Sequence, residues 1–125
     1  MPQVKIELEK GNSKEFLHSL INITMKCVQE ILKLNQTDRN IRLMEYENGL
    51  FFTKPPYRVL IEIAMFQGRT PETKKKLFQK IVSELSSNLD LKKEEIFILI
   101  NDQPKENWGI RGGIQASEID FEALG

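Results

Sequence analysis

Hydrophobic and polar positions alternate over a strand-length segment near the start of the chain. From Gln3 to Glu9, apolar Val4, Ile6 and Leu8 alternate with polar residues, a period of two that is typical of a half-buried β-strand. The following segment changes to helical spacing, with apolar positions at Leu17, Leu20, Ile21, Val28, Ile31 and Leu32. A second strand is predicted from Ile41 to Tyr46. The pattern therefore predicts a β-α-β unit within residues 1–47.

The second half of the chain repeats this pattern. Val59 to Met65 is almost continuously apolar, as in a central strand, and a helical pattern and a closing strand from Ile96 to Asn101 follow. Gly11 and Gly68 lie 57 positions apart, and each stands between a strand and a helix. We predict one domain over residues 1–125, with an internal repeat at 1–47 and 58–104. The expected fold is α+β: a duplicated β-α-β unit with a four-stranded sheet and two helices on one of its faces.

The predicted sheet leaves one face without a covering layer. The connector between the halves also carries exposed-type apolar residues, Leu50, Phe51 and Phe52. Such surfaces favour an oligomer. The glycine-rich tail, residues 105–125, is predicted to form a turn or small hairpin that can reach a neighbour.

Composition narrows the classes of function. The formal net charge is +0, and lysines alternate with acidic residues, so neither nucleic acid nor a membrane is an expected partner. Charged residues interrupt the start of the chain, which argues against a signal peptide and favours the cytoplasm. The single cysteine, Cys27, is expected to be a buried, inert thiol, and the single histidine, His18, cannot form a metal site alone. No metal or other cofactor is expected.

The first two residues carry the candidate chemistry. If Met1 is removed, Pro2 becomes a secondary amine at the mouth of the first strand. An α-amino group has a pKa of about 8, and burial beside a cation would lower that pKa. Such an amine can serve as a general base near neutral pH.

Several motifs together resemble the tautomerase superfamily. They are the duplicated β-α-β unit, Met1-Pro2 before a strand, Gly68-Arg69-Thr70-Pro71-Glu72 after a strand, and Glu106-Asn107-Trp108-Gly109 near the end. The likeness covers almost the whole chain. Its length, its tail and the loop Thr37-Asp38-Arg39 are most similar to the malonate semialdehyde decarboxylase branch. The resemblance implies a homotrimer with one site per subunit, since Val59 stands at the position equivalent to Pro2 in the second half.

The resemblance also implies roles for individual residues. Pro2 resembles the family's catalytic proline and Arg69 its substrate-binding arginine, whose guanidinium can hold a carboxylate and stabilise an enolate oxygen. Asp38 matches the aspartate of the decarboxylase branch, where it could polarise water or return a proton, although a turn-forming role is also open. Trp108 is either an apolar wall of the site or core. In the tail, Arg111 is expected in a loop salt bridge or near a neighbour's site.

One departure from the family pattern decides between activities. The decarboxylase branch carries two arginines flanking one residue, whereas this chain has Gln67-Gly68-Arg69, and Ile110 replaces an aromatic residue. With Gln67 as a neutral substrate-binding residue, one cationic anchor is missing, which disfavours decarboxylation. The leading hypothesis is a keto-enol tautomerase that uses Pro2 as general base on a small 2-oxo acid. The alternatives are a malonate semialdehyde decarboxylase or hydratase, and a non-enzymatic trimeric interaction module.

Overall fold

The computed structural model describes residues 1–121, and residues 122–125 of the predicted tail lie outside the described residues. The strands and α-helices in chain order are β1 (Gln3–Glu9), α1 (Lys14–Leu32), β2 (Ile41–Tyr46), β3 (Val59–Phe66), α2 (Pro71–Asn88), β4 (Ile96–Gln103), β5 (Gly109–Ile110) and β6 (Ile114–Gln115). Short 3-10 helices lie at Lys93–Glu95, Lys105–Asn107 and Ala116–Glu118. None of the helices in residues 1–121 has the length and apolar character needed to cross a membrane.

Four strands form one mixed sheet in the order β2-β1-β3-β4. β1 runs parallel to β2, and β3 runs parallel to β4. The two central strands, β1 and β3, pair antiparallel, with Ile6 opposite Ile61. Each parallel pair is joined through its own helix, which confirms the predicted duplicated β-α-β fold.

The core lies between the sheet and the two helices. Along β1, Val4, Ile6 and Leu8 are buried while their neighbours are partly exposed, and β3 shows the same alternation. The helices contribute buried Leu20, Met25, Val28, Leu77, Ile81 and Leu85. Burying one such side chain contributes roughly 1.5–3 kcal/mol, so the apolar period along each element fixes which face meets the core. Cys27 is buried beside these residues, and burial raises the pKa of its thiol to about 11, as expected for an inert cysteine.

Two glycines make the strand-to-helix turns. Gly11 has a φ of 121° and Gly68 a φ of 125°, conformations that L side chains rarely adopt. The helices then begin with side-chain caps, since Ser13 accepts from the Phe16 N–H and Thr70 accepts from the Thr73 N–H. Each turn therefore fixes the residue after its glycine at one end of the sheet.

Within residues 1–121, no helix packs on the second face of the sheet. Its exposed apolar side chains include Met44, Phe97 and Leu99, which are 57%, 44% and 51% exposed. Lys5 and Glu62 form an ion pair of 3.3 Å on the same face. In the connector, Phe52 is 87% exposed.

Candidate active site

Pro2 lies immediately before β1 and is buried, although Met1 is partly exposed. It lines a small cavity of ≈ 30 Å³. The other residues around this cavity are Met1, Leu32, Leu34, Met65, Phe66 and Arg69. The position just before β1 thus places Pro2 in a cavity that is lined by the Arg69 side chain and otherwise by apolar residues.

Arg69 follows the Gly68 turn and reaches the end of α1. Its Nη1 donates a hydrogen bond of 3.0 Å to the carbonyl oxygen of Leu32, one of the carbonyls that a helix leaves without an intrahelical partner. A guanidinium has five N–H donors, so this bond can orient Arg69 while other donors bind a carboxylate.

Asp38 lies in the loop after α1, and the surrounding backbone is held by hydrogen bonds. Its N–H donates to the Asn35 carbonyl at 3.0 Å, and Gln29 Nε2 donates to the Asp38 carbonyl at 3.3 Å. The carboxylate accepts from Asn40 Nδ2 at 3.2 Å and lies 3.3 Å from the amino nitrogen of Met1. The structure therefore brings Asp38 to the N-terminus.

A second cavity, of ≈ 460 Å³, adjoins the first. It is lined by Met1, Lys33, Leu34, Asn35, Asp38, Phe66, Lys105, Arg111 and Phe121. Met1, Leu34 and Phe66 line both cavities. Met1 therefore borders both the cavity that contains Pro2 and Arg69 and the cavity that contains Asp38.

Two other predicted site residues, Trp108 and Gln67, are absent from the described linings of both cavities. Trp108 packs edge to face on Phe66, with ring centroids 5.1 Å apart, and its Nε1 donates to the Gln103 carbonyl at 3.4 Å. It packs against Phe66 and is not among the described residues that line either cavity. Gln67 is exposed after β3, and its N–H donates to the same Gln103 carbonyl at 2.9 Å. Gln67 is also absent from both cavity linings in the described part of the chain.

Sequence reasoning did not single out Lys105 and expected Arg111 in a loop salt bridge or near a neighbour's site, whereas both residues line the larger cavity of their own subunit. Lys105 and Arg111 come from the tail, which folds back onto the N-terminal end of the sheet of its own subunit. Lys33 caps α1 in a left-handed conformation with φ 56°. The contacts of these side chains with the cavity depend on the tertiary fold, so the hydrophobic periodicity of the sequence does not predict them.

The second half has a different arrangement at the corresponding place. Arg58 and Val59 correspond to Met1 and Pro2 in the repeat. The Arg58 guanidinium donates to the Asp90 carbonyl at 3.3 Å and to Asn12 Oδ1 at 3.1 Å, and it lies 5.2 Å from the Phe16 ring centroid. Because Val59 is inside the chain, its nitrogen is a peptide amide and cannot act as a base.

Comparison with known proteins agrees with this fold. Residues 34–111 match the family model described as tautomerase enzyme. Probable tautomerase YusQ of Bacillus subtilis (strain 168) is 30% identical over 121 residues, which cover 90% of this chain and 95% of that protein.

Two solved structures share the fold. FG41 malonate semialdehyde decarboxylase inhibited by 3-bromopropiolate has a TM-score of 0.77 at 23% identity, over 95% of this chain and 98% of that one. A wild-type fused 4-OT, a symmetric trimer, has a TM-score of 0.81 at 18% identity, over 92% of this chain and 96% of that one.

The duplicated β-α-β fold and the sequence matches define the class of the protein as a tautomerase, an isomerase. The chain belongs to the tautomerase enzyme family, which confirms the predicted resemblance. The structural neighbours, at under 25% identity, establish the fold alone.

Proposed function

We propose that the protein is a keto-enol tautomerase of small 2-oxo acids, with Pro2 as general base after removal of Met1. The position of Met1 carries the proposal. Its amino nitrogen lies 3.3 Å from Asp38, and the residue borders both cavities. Without Met1, the amine of Pro2 would face a single joined cavity with Asp38 on one side and Arg69 on the other.

The surroundings of Pro2 act on its protonation in two directions. The apolar lining by Leu32, Leu34 and Met65, together with the charge of Arg69, favours the neutral amine. The carboxylate of Asp38 favours the protonated amine. A base near neutral pH needs such a balance, because it must both accept and return the proton.

The reaction then follows from the placement of the groups. Arg69 binds the carboxylate at C1, and the Pro2 nitrogen takes a proton from C3. The C–H electron pair forms the C2=C3 double bond while negative charge develops on the C2 oxygen, which the guanidinium stabilises. Transfer of the proton from the Pro2 ammonium to the C2 oxygen gives the enol, and the reverse transfer, from the enol O–H through Pro2 to C3, gives the 2-oxo acid. Asp38 is proposed to orient the ammonium group of Pro2 or a water molecule between these events.

We further propose a homotrimer. The uncovered face of the sheet exposes Met44, Phe97 and Leu99, and apolar surface of this kind is typical of a subunit interface. A fused 4-OT of the same fold is a symmetric trimer. Three subunits would carry three sites, because each chain has one Pro2.

The proposal is tested first by the intact mass of the purified protein. A chain that retains Met1 would make the amine mechanism untenable. Proton transfer is then measured as exchange of the C3 hydrogens of 2-oxohexanoate in deuterated water, followed by proton NMR. Pro2→Ala keeps an amine but loses its secondary character and its ring-fixed position. We expect a loss of about 10- to 100-fold in exchange rate, part of the 10²–10⁴ that a positioned base contributes.

Lys75→Ala serves as the matched control, because Lys75 is exposed on α2 and lines neither cavity described above. Circular dichroism checks that both variants fold. Wild-type exchange rates in Pro2→Ala would contradict the role of Pro2. Decarboxylation of malonate semialdehyde without C3 exchange would favour the decarboxylase alternative, and neither reaction would favour the non-enzymatic one.

A further inference from the structure

We propose that Asn40 is a positioning residue that acts through Asp38. Its side-chain amide turns the Asp38 carboxylate toward the N-terminal end of the chain, where the carboxylate favours the protonated form of the Pro2 amine. Asn40 thereby sets the pH range in which Pro2 can act as a base. This inference rests on the proposed function, since it concerns how the same site is tuned.

The two oxygens of the Asp38 carboxylate have different partners. Oδ1 accepts a hydrogen bond of 3.2 Å from Asn40 Nδ2, and Oδ2 lies 3.3 Å from the amino nitrogen of Met1. Because a carboxylate is planar, a hydrogen bond that fixes one oxygen also fixes the direction in which the other points. The Asn40 amide is therefore placed to keep Asp38 directed at the N-terminus.

Asn40 is also bonded to the strand that follows Pro2. It immediately precedes β2, and its backbone carbonyl accepts the Val4 N–H at 2.9 Å. In the parallel ladder, Val4 lies opposite Ile41, the first residue of β2. Asn40 thus joins the Asp38 carboxylate, through its side chain, to the Pro2 end of β1, through its backbone.

Other residues hold the backbone of Asp38. The Asp38 N–H donates to the Asn35 carbonyl at 3.0 Å, and Gln29 Nε2 donates to the carbonyls of Asp38 at 3.3 Å and of Gln36 at 3.1 Å. All three bonds involve backbone groups of the loop. Loss of the Asn40 amide should therefore release the Asp38 carboxylate while the loop stays in place.

The Asp38 carboxylate is close enough to act on the Pro2 amine. The three backbone bonds between the nitrogens of Met1 and Pro2 measure about 4.3 Å in all, so Asp38 Oδ2 lies within about 8 Å of the Pro2 nitrogen. This distance is about one Debye length at physiological salt. The Asp38 side chain is only 21% exposed, which further limits screening.

The other charged side chains around the two cavities are cationic. Cations favour the neutral amine, whereas a carboxylate favours the protonated one. Among the described residues that line the cavities, the cationic side chains are Lys33, Arg69, Lys105 and Arg111. Asp38 is the one carboxylate in these linings, so its orientation determines how far the effect of the cations is offset.

The test is the pH dependence of C3 exchange of 2-oxohexanoate. The acid limb of kcat/KM reports protonation of the base in the free enzyme. Asn40→Leu keeps the size of the side chain but removes the donor. Because the released carboxylate stabilises the Pro2 ammonium less, we expect the acid limb to move to lower pH by about 0.5 to 1 unit. Asn40→Ser keeps a donor and should shift it less. If Asn40→Leu does not fold, Asn40→Ala gives the same comparison.

A double-mutant cycle shows whether Asn40 acts through Asp38. Asp38→Asn removes the charge itself and should move the acid limb in the same direction. In that background, Asn40→Leu should add less than about 0.2 unit, because no carboxylate remains to be oriented. A shift as large as in the wild-type background would overturn the proposal, and so would an unchanged acid limb in Asn40→Leu.

Asn22→Leu is the matched control. Asn22 is exposed on α1, lines neither cavity in the described chain, and accepts a hydrogen bond of 2.6 Å from Arg39 Nη2 in the loop of Asp38. The same substitution there removes a bond of the loop without touching the Asp38 carboxylate. The acid limb of Asn22→Leu should coincide with that of wild type. Equal shifts in Asn22→Leu and Asn40→Leu would refute the role of Asn40.

Nitrogen NMR separates this proposal from the proposed activity. Protein made with ¹⁵N-labelled proline reports the titration of the Pro2 amine directly, after treatment with a methionine aminopeptidase if Met1 is retained. If wild type exchanges no C3 hydrogen, the tautomerase proposal fails, whereas a lower titration midpoint in Asn40→Leu than in wild type still supports the positioning role. Equal midpoints would refute that role even if the enzyme is active.

Discussion

Arg69 contributes to the stability of the fold and also to the proposed catalysis. Its guanidinium binds the Leu32 carbonyl at the end of α1 and lines the cavity of Pro2. The hydrogen bond to Leu32 fixes the guanidinium before any substrate binds. Preorganisation of this kind reduces the free energy needed to order a binding group.

Arg69→Ala is expected to lower kcat/KM for C3 exchange of 2-oxohexanoate. Loss of a desolvated charge pair corresponds to roughly 2–5 kcal/mol of transition-state stabilisation. Loss of the bond to Leu32 should also lower the unfolding free energy by about 1 kcal/mol. C3 exchange kinetics and denaturant unfolding measure the two effects separately, with Lys75→Ala as control. Unchanged kcat/KM in Arg69→Ala would exclude its substrate-binding role.

At the residue scale, the candidate residues that lie near one another are those whose side chains are fixed by a strand end or a turn. Pro2, Asp38 and Arg69 were chosen by position and motif, and the structure brings them around Met1. Gln67 was chosen by the same reasoning but lies outside the two linings in the described chain. Lys105 was missed, and Arg111 was expected elsewhere, because the contact of the tail with the N-terminal end depends on how the chain folds back.

At the scale of elements, the apolar period determined most of the strands. β1 and β2 have the predicted bounds, whereas β4 continues to Gln103. Asp102 and Gln103 extend the parallel ladder opposite Met65 and Phe66. Because both residues are polar, the hydrophobic pattern of the sequence does not mark them as part of a strand. Their pairing with β3 in the structure does.

The start of α2 supports a prediction about stability. Thr70 Oγ1 accepts the Thr73 N–H at 3.2 Å. Thr70→Ala should cost about 1 kcal/mol of unfolding free energy, the usual effect of losing an N-cap. The midpoint of thermal unfolding is expected to fall by about 2–5 °C when protein concentrations are matched. Ser87→Ala, within the same helix and exposed, is the control and should be nearly neutral. A midpoint for Thr70→Ala equal to that of the control would contradict the capping role.

At the scale of the whole molecule, the second face of the sheet exposes apolar side chains that the described part of one subunit does not cover. Phe97 and Leu99 stand on β4 opposite Leu60 and Glu62 of β3. A cavity of ≈ 470 Å³ lies over this part of the sheet, with mostly apolar walls. Within the proposed trimer, neighbouring subunits would fill it.

Leu99→Glu should therefore disrupt the assembly. A carboxylate placed in an apolar interface is costly to desolvate, and it would also lie opposite Glu62. Size-exclusion chromatography with light scattering should give the mass of a trimer for wild type and a smaller mass for the variant. Ser87→Glu adds the same charge on the outer helix and should leave the trimer intact. A trimer that persists in Leu99→Glu would place the interface on another surface.

The arrangement around Arg58 has a consequence for how this protein can be altered. In an assembly of short identical subunits, each holding one β-α-β unit, a single codon change alters every copy of the unit. The copies that form the active site and those that only support it then cannot be varied independently. Here the two copies are joined in a single chain, and the bonded pair Arg58 and Asn12 stands at the positions that correspond in the repeat to Met1 and Arg69. Substitutions at Arg58 or Asn12 can therefore be used to adjust rigidity or solubility without changing the residues around Pro2, which leaves the proposed site open to redesign for new substrates.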